Sequence, residues 1–316
     1  MNRISLRHLR YFEALAKHGH FGRAAAACAI SQPALSLQMK ELEDLLGAPL
    51  IERGGRQIRL TSLGEAFASR ATDILCAVDE LGNLARASFR PLAGRLRIGI
   101  IPTVAPYLLP VIIQTLAKRF PGVDLRPREA VTQKLVDDLI GGRLDTAVVA
   151  LPVSEPSLHE EALFNEEFVL VRPHQDASKP VPNPEALREM RLLLLEEGHC
   201  FRDQALSFCK MSSSESHDLM EGSSLTTLVQ MVDAGIGVTL IPQMAISLET
   251  GSANVSVVRL AAPRPSRTIG MIWRKTNPLS DQLTNVANLV RGAGTAVRHV
   301  DAFGAAAVGT ADGQGG

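Results

Sequence analysis

Leu192-Leu-Leu-Leu-Glu-Glu-Gly-His-Cys-Phe-Arg-Asp-Gln-Ala-Leu-Ser-Phe-Cys209 compresses a strand, a turn and a helix into one short stretch. The four leucines form an apolar run suited to a buried strand. Glu196, Glu197 and Gly198 end it, and His199-Cys200 fall in the turn. Phe201 to Cys209 then reads as a short helix with Phe201, Ala205 and Phe208 on one side. Cys200 therefore stands at a strand-to-helix junction, near unpaired backbone N–H groups and the positive end of a helix dipole, with His199 and Arg202 flanking it. Such surroundings suit a reactive thiolate. Cys209 lies at the other end of the helix, about 13 Å away at the helical rise per residue. A disulfide needs Cα atoms closer than about 7 Å, so a bond between the two would require the helix to unwind. The competing reading is that both are small buried hydrophobes, as free cysteines often are.

Working outward, apolar strands alternate with helices on both sides of this stretch. Leu96–Ile101 reads as a strand, followed by a helix through Leu108 to Phe120, a strand over Val123–Arg128, a helix from about Thr132 to Ile140 and a strand over Leu144–Ala150. Phe168–Val171, Gly237–Pro242 and Ile269–Trp273 add strands, and a terminal helix is predicted near residues 281–300. The alternation predicts mostly parallel sheets with covered faces, which bind ligands beyond the carboxyl ends of their strands. Thr103, Thr132 and Cys200 each follow such an end, so three short polar groups are expected to face one cleft.

The first 60 residues have a different character. Leu6, Leu9, Phe12 and Leu15 mark one amphipathic helix, and Phe21–Cys28 a second, rich in alanine. Ser31 is a natural N-cap, Pro33 is tolerated in the first turn, and Leu35, Met39, Leu42 and Leu46 share a face that Gly47 ends. The opposite face offers Gln32, Ser36, Leu37 and Lys40. Helix, short turn and a second helix with a polar outer face is a helix-turn-helix. Leu50–Leu60 follows as two short strands about Gly54-Gly55, whose Arg53, Arg56 and Arg59 suit a wing against phosphates. Lys and Arg outnumber Asp and Glu nine to five over residues 1–60, although the whole chain has a formal net charge of zero. From 61 to 95 a long helix is predicted. Thr61 or Ser62 is its cap, with Glu65 completing a capping box, and Leu63, Phe67, Ile74, Val78, Leu81 and Ala85 form a coiled-coil seam. Pro91–Gly94 breaks it.

Composition agrees with a globular protein of several domains: 316 residues, 46% hydrophobic and 21% charged. Met1–His8 leads into an amphipathic pattern rather than a signal peptide, and no apolar run is long enough for a membrane span. Four irregularly spaced cysteines in a chain this long do not form a disulfide framework, which points to a reducing cytoplasm. No metal constellation or phosphate-binding loop is evident.

Several segments resemble a known family. Gln32-Pro-Ala-Leu-Ser36, Leu42-Glu-Asp-Leu-Leu-Gly47 and Leu50-Ile-Glu-Arg53 resemble the winged helix-turn-helix of LysR-type transcriptional regulators. Gly198-His-Cys-Phe-Arg-Asp-Gln-Ala205 ahead of Phe208-Cys209 resembles the sensor segment of that family's peroxide-responsive OxyR branch, as do Ile101–Pro110, Glu129–Thr132 and Arg267–Gly270. The resemblance covers about residues 3–291. It implies a winged helix-turn-helix over 1–60, a dimerising linker helix over 61–95, and an α/β effector domain over 96–300 with a two-lobed, periplasmic-binding-protein-like fold. Lobe I is expected at about 96–162 and 268–300, lobe II at about 163–267, and a disordered tail at 301–316. The resemblance also implies roles. Cys200 would react with hydrogen peroxide and Cys209 resolve it as a disulfide; Thr103, Thr132 and His199 would hold the peroxide, with Arg267 a basic group near the thiolate. Gln32, Pro33, Ser36, Leu37, Lys40, Arg53 and Arg56 would contact double-stranded DNA. His217 is assigned no role. The implied partners are a second copy in a dimer of dimers, RNA polymerase, and thioredoxin- or glutaredoxin-type reductants. No cofactor and no enzymatic turnover are implied. Two other readings stand beside this one: a LysR-type regulator that binds a small metabolite in the cleft, and a thiol peroxidase that also binds DNA.

Overall fold

The computed structural model describes residues 4–52, 58–87, 92–209 and 220–304. The chain divides near residue 88 into two compact units. In the first, α1 (Leu6–His18), α2 (Phe21–Ala27) and α3 (Gln32–Leu46) pack around Phe12, Leu15, Ala24, Ala25, Leu35, Met39, Leu42 and Leu50. The small side chains of α2 let it approach its neighbours closely, and each large apolar group buried contributes about 1.5–3 kcal/mol. Ser31 caps α3, its hydroxyl accepting from the Ala34 N–H at 3.3 Å, and Gly47 ends the helix at a φ of 68°, where a side chain would be strained. Gln32, Pro33, Ser36, Leu37 and Lys40 are all exposed on its outer side. Ile51 is bridged to Leu60, and the Glu52 N–H donates to the Arg59 carbonyl at 2.9 Å, so the two short strands meet as expected. Glu43 fastens them to α3 by accepting from the N–H groups of Leu50 (2.7 Å) and Ile51 (3.1 Å). The Gly54-Gly55 turn, with Arg53 and Arg56, lies outside the described residues, as does His217.

The long helix α4 spans Ser62–Ala87. Thr61 caps it, accepting from the Gly64 N–H at 3.0 Å. The expected seam divides in two. Phe67 belongs to the head: its ring meets Phe12 edge-on at 5.4 Å, while Ala71 and Leu75 pack with Leu9. Period-3.5 counting could not separate this inward face from the outward one, because both carry apolar residues. Leu63 (48% exposed), Ile74 (48%) and Leu81 (65%) remain on the surface.

The second unit begins with β1 (Gly94–Ile100), α5 (Ala105–Arg119), β2 (Val123–Glu129), α6 (Thr132–Ile140), β3 (Thr146–Leu151) and β4 (Leu158–Pro173). It continues with α7 (Pro184–Glu189), β5 (Leu192–Leu195), α8 (Cys200–Phe208), β6 (Glu221–Gly222), α9 (Leu225–Asp233), β7 (Val238–Pro242), α10 (Ile246–Thr250), β8 (Val255–Arg259), β9 (Ser266–Arg274) and α11 (Ser280–Gly304). Strand order is β2-β1-β3-β9-β4-β7-β5-β6, with β8 also on β4. The β1–β2, β1–β3, β5–β6 and β5–β7 pairs are parallel, as expected of strand–helix alternation. The pairs made by β4 and β9 are antiparallel, so the sheet is mixed rather than mostly parallel. The reason is that the chain crosses between the two parallel groups in extended strands, without a crossover helix. β4 pairs β9 through residues 158–167 and then β7 and β8 through residues 168–173. The expected lobe limits at 162/163 and 267/268 therefore fall inside continuous strands. The terminal helix runs on to Gly304, past the expected start of a disordered tail; residues 305–316 lie outside the described set. Among the described residues no helix is long and apolar enough to cross a membrane.

The exposed Leu63, Ile74 and Leu81 stripe is the face on which a partner helix would seat. Replacing Leu81 with Asp would bury an unpaired charge in such a seam. The variant is expected to sediment as a smaller species than the parent, and an unchanged mass would move the interface elsewhere.

Candidate functional site

The carboxyl ends of β1, β2 and β5 converge on a small, closely packed pocket lined by Ile101, Pro102, Thr103, Val131, Thr132, His199, Cys200 and Phe201. Chain geometry explains the convergence. Gly198, at a φ of 92°, turns the chain out of β5, His199 is the N-cap of α8, and Cys200 is its first helical residue. Cys200 is half-buried, and backbone N–H groups of the first turn of α8 lie beside it. Thr132 opens α6, and its hydroxyl oxygen is buried with no hydrogen-bond partner among the described residues. A buried hydroxyl facing a pocket in this state is ready to bond a small polar ligand. Of the residues expected around the thiol, Thr103, Thr132 and His199 are thus brought together with Cys200.

Arg267 reaches the pocket indirectly. It is fully buried, paired with the equally buried Glu166 at 2.8 Å, and donates to the Thr103 hydroxyl at 2.7 Å and the Thr103 carbonyl at 3.1 Å. Its guanidinium also lies 5.4 Å from the centre of the Phe201 ring. Because Thr103 Oγ1 accepts from Arg267, its own proton is left to donate elsewhere. Arg267 therefore acts on the pocket through Thr103 and the wall behind Cys200, with its charge balanced by Glu166. Arg202, expected as a positive neighbour of the thiol, is also compensated. Its guanidinium donates to the Leu195 carbonyl at 2.9 Å and pairs with Glu221.

Burial holds the His199 imidazole below its ordinary value, against the opposing pull of Glu196 and Glu129. Neutral imidazole both donates and accepts, so at pH 7 His199 serves as a hydrogen-bonding group rather than a standing cation. Cys209 is the C-cap of α8, fully buried, and burial pushes its thiol up to about 11 despite the nearby Arg188. Both cysteines are free thiols. The helix between them holds their Cα atoms about 13 Å apart.

Sequence reading missed Glu166 and the second role of Phe201. Glu166 lies directly opposite Arg267 in the β4–β9 register, and its other oxygen accepts from the Met244 N–H at 3.0 Å. No local pattern announces a partner that far away in sequence. A broader open cleft of about 350 Å³ adjoins the pocket, shares Cys200 and Thr132 with it, and adds Asp203 and Gln204.

With this geometry in place, comparisons identify the class. Residues 6–65 match the family model of bacterial regulatory helix-turn-helix proteins of the lysR family, and residues 90–294 match the LysR substrate binding domain. The chain belongs to the LysR family. Among its relatives, a probable hydrogen peroxide-inducible genes activator of Streptomyces viridosporus is 44% identical over 85% of this chain and 88% of its own length. The DNA-binding transcriptional dual regulator OxyR of Escherichia coli K12 is 38% identical over 91% and 95%. Two solved structures are similar. Full-length OxyR from Pseudomonas aeruginosa, a cysteine-to-aspartate variant, has a TM-score of 0.70 and 36% identity, covering 92% of this chain and 95% of its own. A cysteine-to-serine variant of Corynebacterium glutamicum OxyR, H2O2-bound, has a TM-score of 0.67 and 32% identity over 96% of each chain.

The raised Cys209 thiol gives a pH test. A group whose folded value is raised contributes stability that is fully present below its unfolded value and lost as pH rises through the folded one. Parent stability should therefore fall relative to Cys209→Ala between pH 9 and about 11, as read by urea unfolding. Parallel curves for the two proteins would show that Cys209 is not held protonated.

Proposed function

We propose that the protein is a hydrogen peroxide-responsive transcriptional regulator in which Cys200 senses and Cys209 resolves. The observation that carries this reading is one nine-residue helix with Cys200 opening its N-terminus into a small, largely apolar pocket that carries two threonines, and Cys209 buried at its other end. The Cys200 thiolate attacks one peroxide oxygen. An S–O bond forms, the O–O bond breaks, and hydroxide leaves to become water with a proton from solvent. Thr103 and Thr132 would hydrogen-bond the peroxide, and His199 would bond the leaving oxygen. Cys209 then attacks the Cys200 sulfenic acid, forming the S–S bond as water departs. Similarity to a hydrogen peroxide-inducible genes activator supports peroxide as the signal.

α3 would lie in the major groove, with Gln32, Pro33, Ser36, Leu37 and Lys40 at the DNA and Arg53 and Arg56 on flanking phosphates. The protein would act in the cytoplasm as a dimer of dimers, pass the signal to RNA polymerase, and be reset by thioredoxin- or glutaredoxin-type reductants. Peroxide is then a stoichiometric signal and not a substrate for turnover, which separates this reading from a thiol peroxidase. The adjoining cleft of about 350 Å³, within the size range of metabolite pockets, favours the metabolite reading.

Cys200→Ser should abolish both peroxide consumption and the transcriptional response. Cys209→Ser should consume one equivalent and stop at a sulfenic acid trapped by dimedone. Mass spectrometry that finds no Cys200–Cys209 bond in oxidised parent protein would sink the switch and leave the metabolite reading in its place.

For DNA, Arg56→Ala should weaken binding across all operators and flatten the salt dependence by about one phosphate contact. Gln32→Ala should instead change base preference. An unaltered salt slope in the first variant would take the wing off the phosphates.

A further inference from the structure

The stretch from Cys200 to Glu221 carries both cysteines, and its two ends are fastened together. Arg202 sits in the first turn of α8 with its side chain 4% exposed. It donates to the Leu195 carbonyl at 2.9 Å, at the end of β5, and pairs with the carboxylate of Glu221 on β6. The backbone of β6 is itself paired to β5, Leu194 opposite Glu221 and Leu195 opposite Gly222, and the Glu196 N–H donates to the Gly222 carbonyl at 3.1 Å. Neither Arg202 nor Glu221 lines the pocket around Cys200. The ion pair is therefore not needed to hold peroxide, yet it ties the first turn of α8, which must move afterwards, to β6.

We propose that Arg202 and Glu221 are positioning residues: a clasp that holds Cys200 in its reduced place and so governs the rate at which the disulfide closes. This rests on the peroxide-sensing reading. The first step, thiolate plus peroxide giving sulfenic acid and hydroxide, takes place in the pocket, which the pair does not line. The second step joins the Cys209 sulfur to the Cys200 sulfur and releases water, with peroxide having supplied the oxidising equivalents. It must shorten a Cα separation of about 13 Å to less than about 7 Å, so one end of α8 travels about 6 Å. Cys200 is two residues from Arg202, and its travel draws the guanidinium away from both β5 and β6. That movement breaks the ion pair to the partly exposed Glu221 and leaves the Leu195 carbonyl without its donor, which opposes it. The clasp thus slows closure without touching the first step.

The test separates the two steps in Glu221→Ala and Glu221→Gln. In each variant, sulfenic acid formation is timed by intact mass after Cys209→Ser is added, and disulfide closure is timed by quenched alkylation in the variant with both cysteines. Sulfenic acid formation should stay within about twofold of the parent. Closure in Glu221→Ala should quicken about tenfold, the scale of one charge-assisted hydrogen bond, with Glu221→Gln between the two. Amides of the first turn of α8 should exchange faster with deuterium in reduced Glu221→Ala. Equal closure rates in parent and variants would overturn the clasp and assign the travel to Cys209. Loss of both steps in parallel would overturn it as well, since the pair would then be building the pocket. A parent that forms no Cys200–Cys209 bond fails in a different place: the sensing reading itself falls.

Discussion

The contact between Arg267 and Glu166 carries more of this architecture than any other. Both side chains are fully buried, and they face each other across the β4–β9 ribbon that joins the two parallel groups of strands. A buried ion pair is stable only when its remaining hydrogen-bonding capacity is used. Here the guanidinium also bonds both oxygens of Thr103 and lies over Phe201, while the second carboxylate oxygen takes the Met244 N–H. Losing one member would strand the other charge, at a cost of about 3–5 kcal/mol. The same network fixes Thr103 and Phe201, both of which line the pocket. Folding stability and the shape of the sensing site therefore depend on the same few atoms.

A second polar network lies next to the first, within electrostatic reach of Arg267 and Glu166. The buried Glu249 accepts from the Tyr107 hydroxyl at 2.6 Å and from Thr226 at 2.7 Å, joining α5, α9 and α10. Tyr107 is one helical turn beyond Thr103, so the start of α5 is held at two successive turns, by Arg267 and by Glu249. Burial and that carboxylate push the Tyr107 phenol far above its ordinary range, which keeps it a donor at any physiological pH. The threonine that lines the pocket thus stands on a helix start with little freedom to move. That rigidity suits a pocket meant for a very small ligand.

Much of this was legible in the sequence, because local signals carried it. Leu192–Leu195 is a strand with the expected limits, Ser31 caps α3, and Thr132 opens α6. Apolar runs, caps and glycine stops depend on neighbours within a few residues. What escaped depends on register and on tertiary partners. The antiparallel course of β4 and β9 could not be read from alternation of strands and helices. Nor could the pairing of Arg202 with Glu221, which removed a charge assigned by proximity in sequence to the thiol. Phe67 shows the limit most plainly: it fits the period of the seam, yet its ring belongs to the core of the head.

The placement of Phe67 has a consequence for spacing. Its edge-on contact with Phe12, and the packing of Ala71 and Leu75 on Leu9, make the first half of α4 one rigid piece with α1 and hence with α3. At 26 residues, α4 is about 39 Å long. A helix fused to its DNA-reading head behaves as a ruler and not as a tether. Two such rulers joined along Leu63, Ile74 and Leu81 would set the distance and phase between recognition helices by geometry alone. An operator whose half-sites were moved by half a helical turn would then be refused even with every base contact intact.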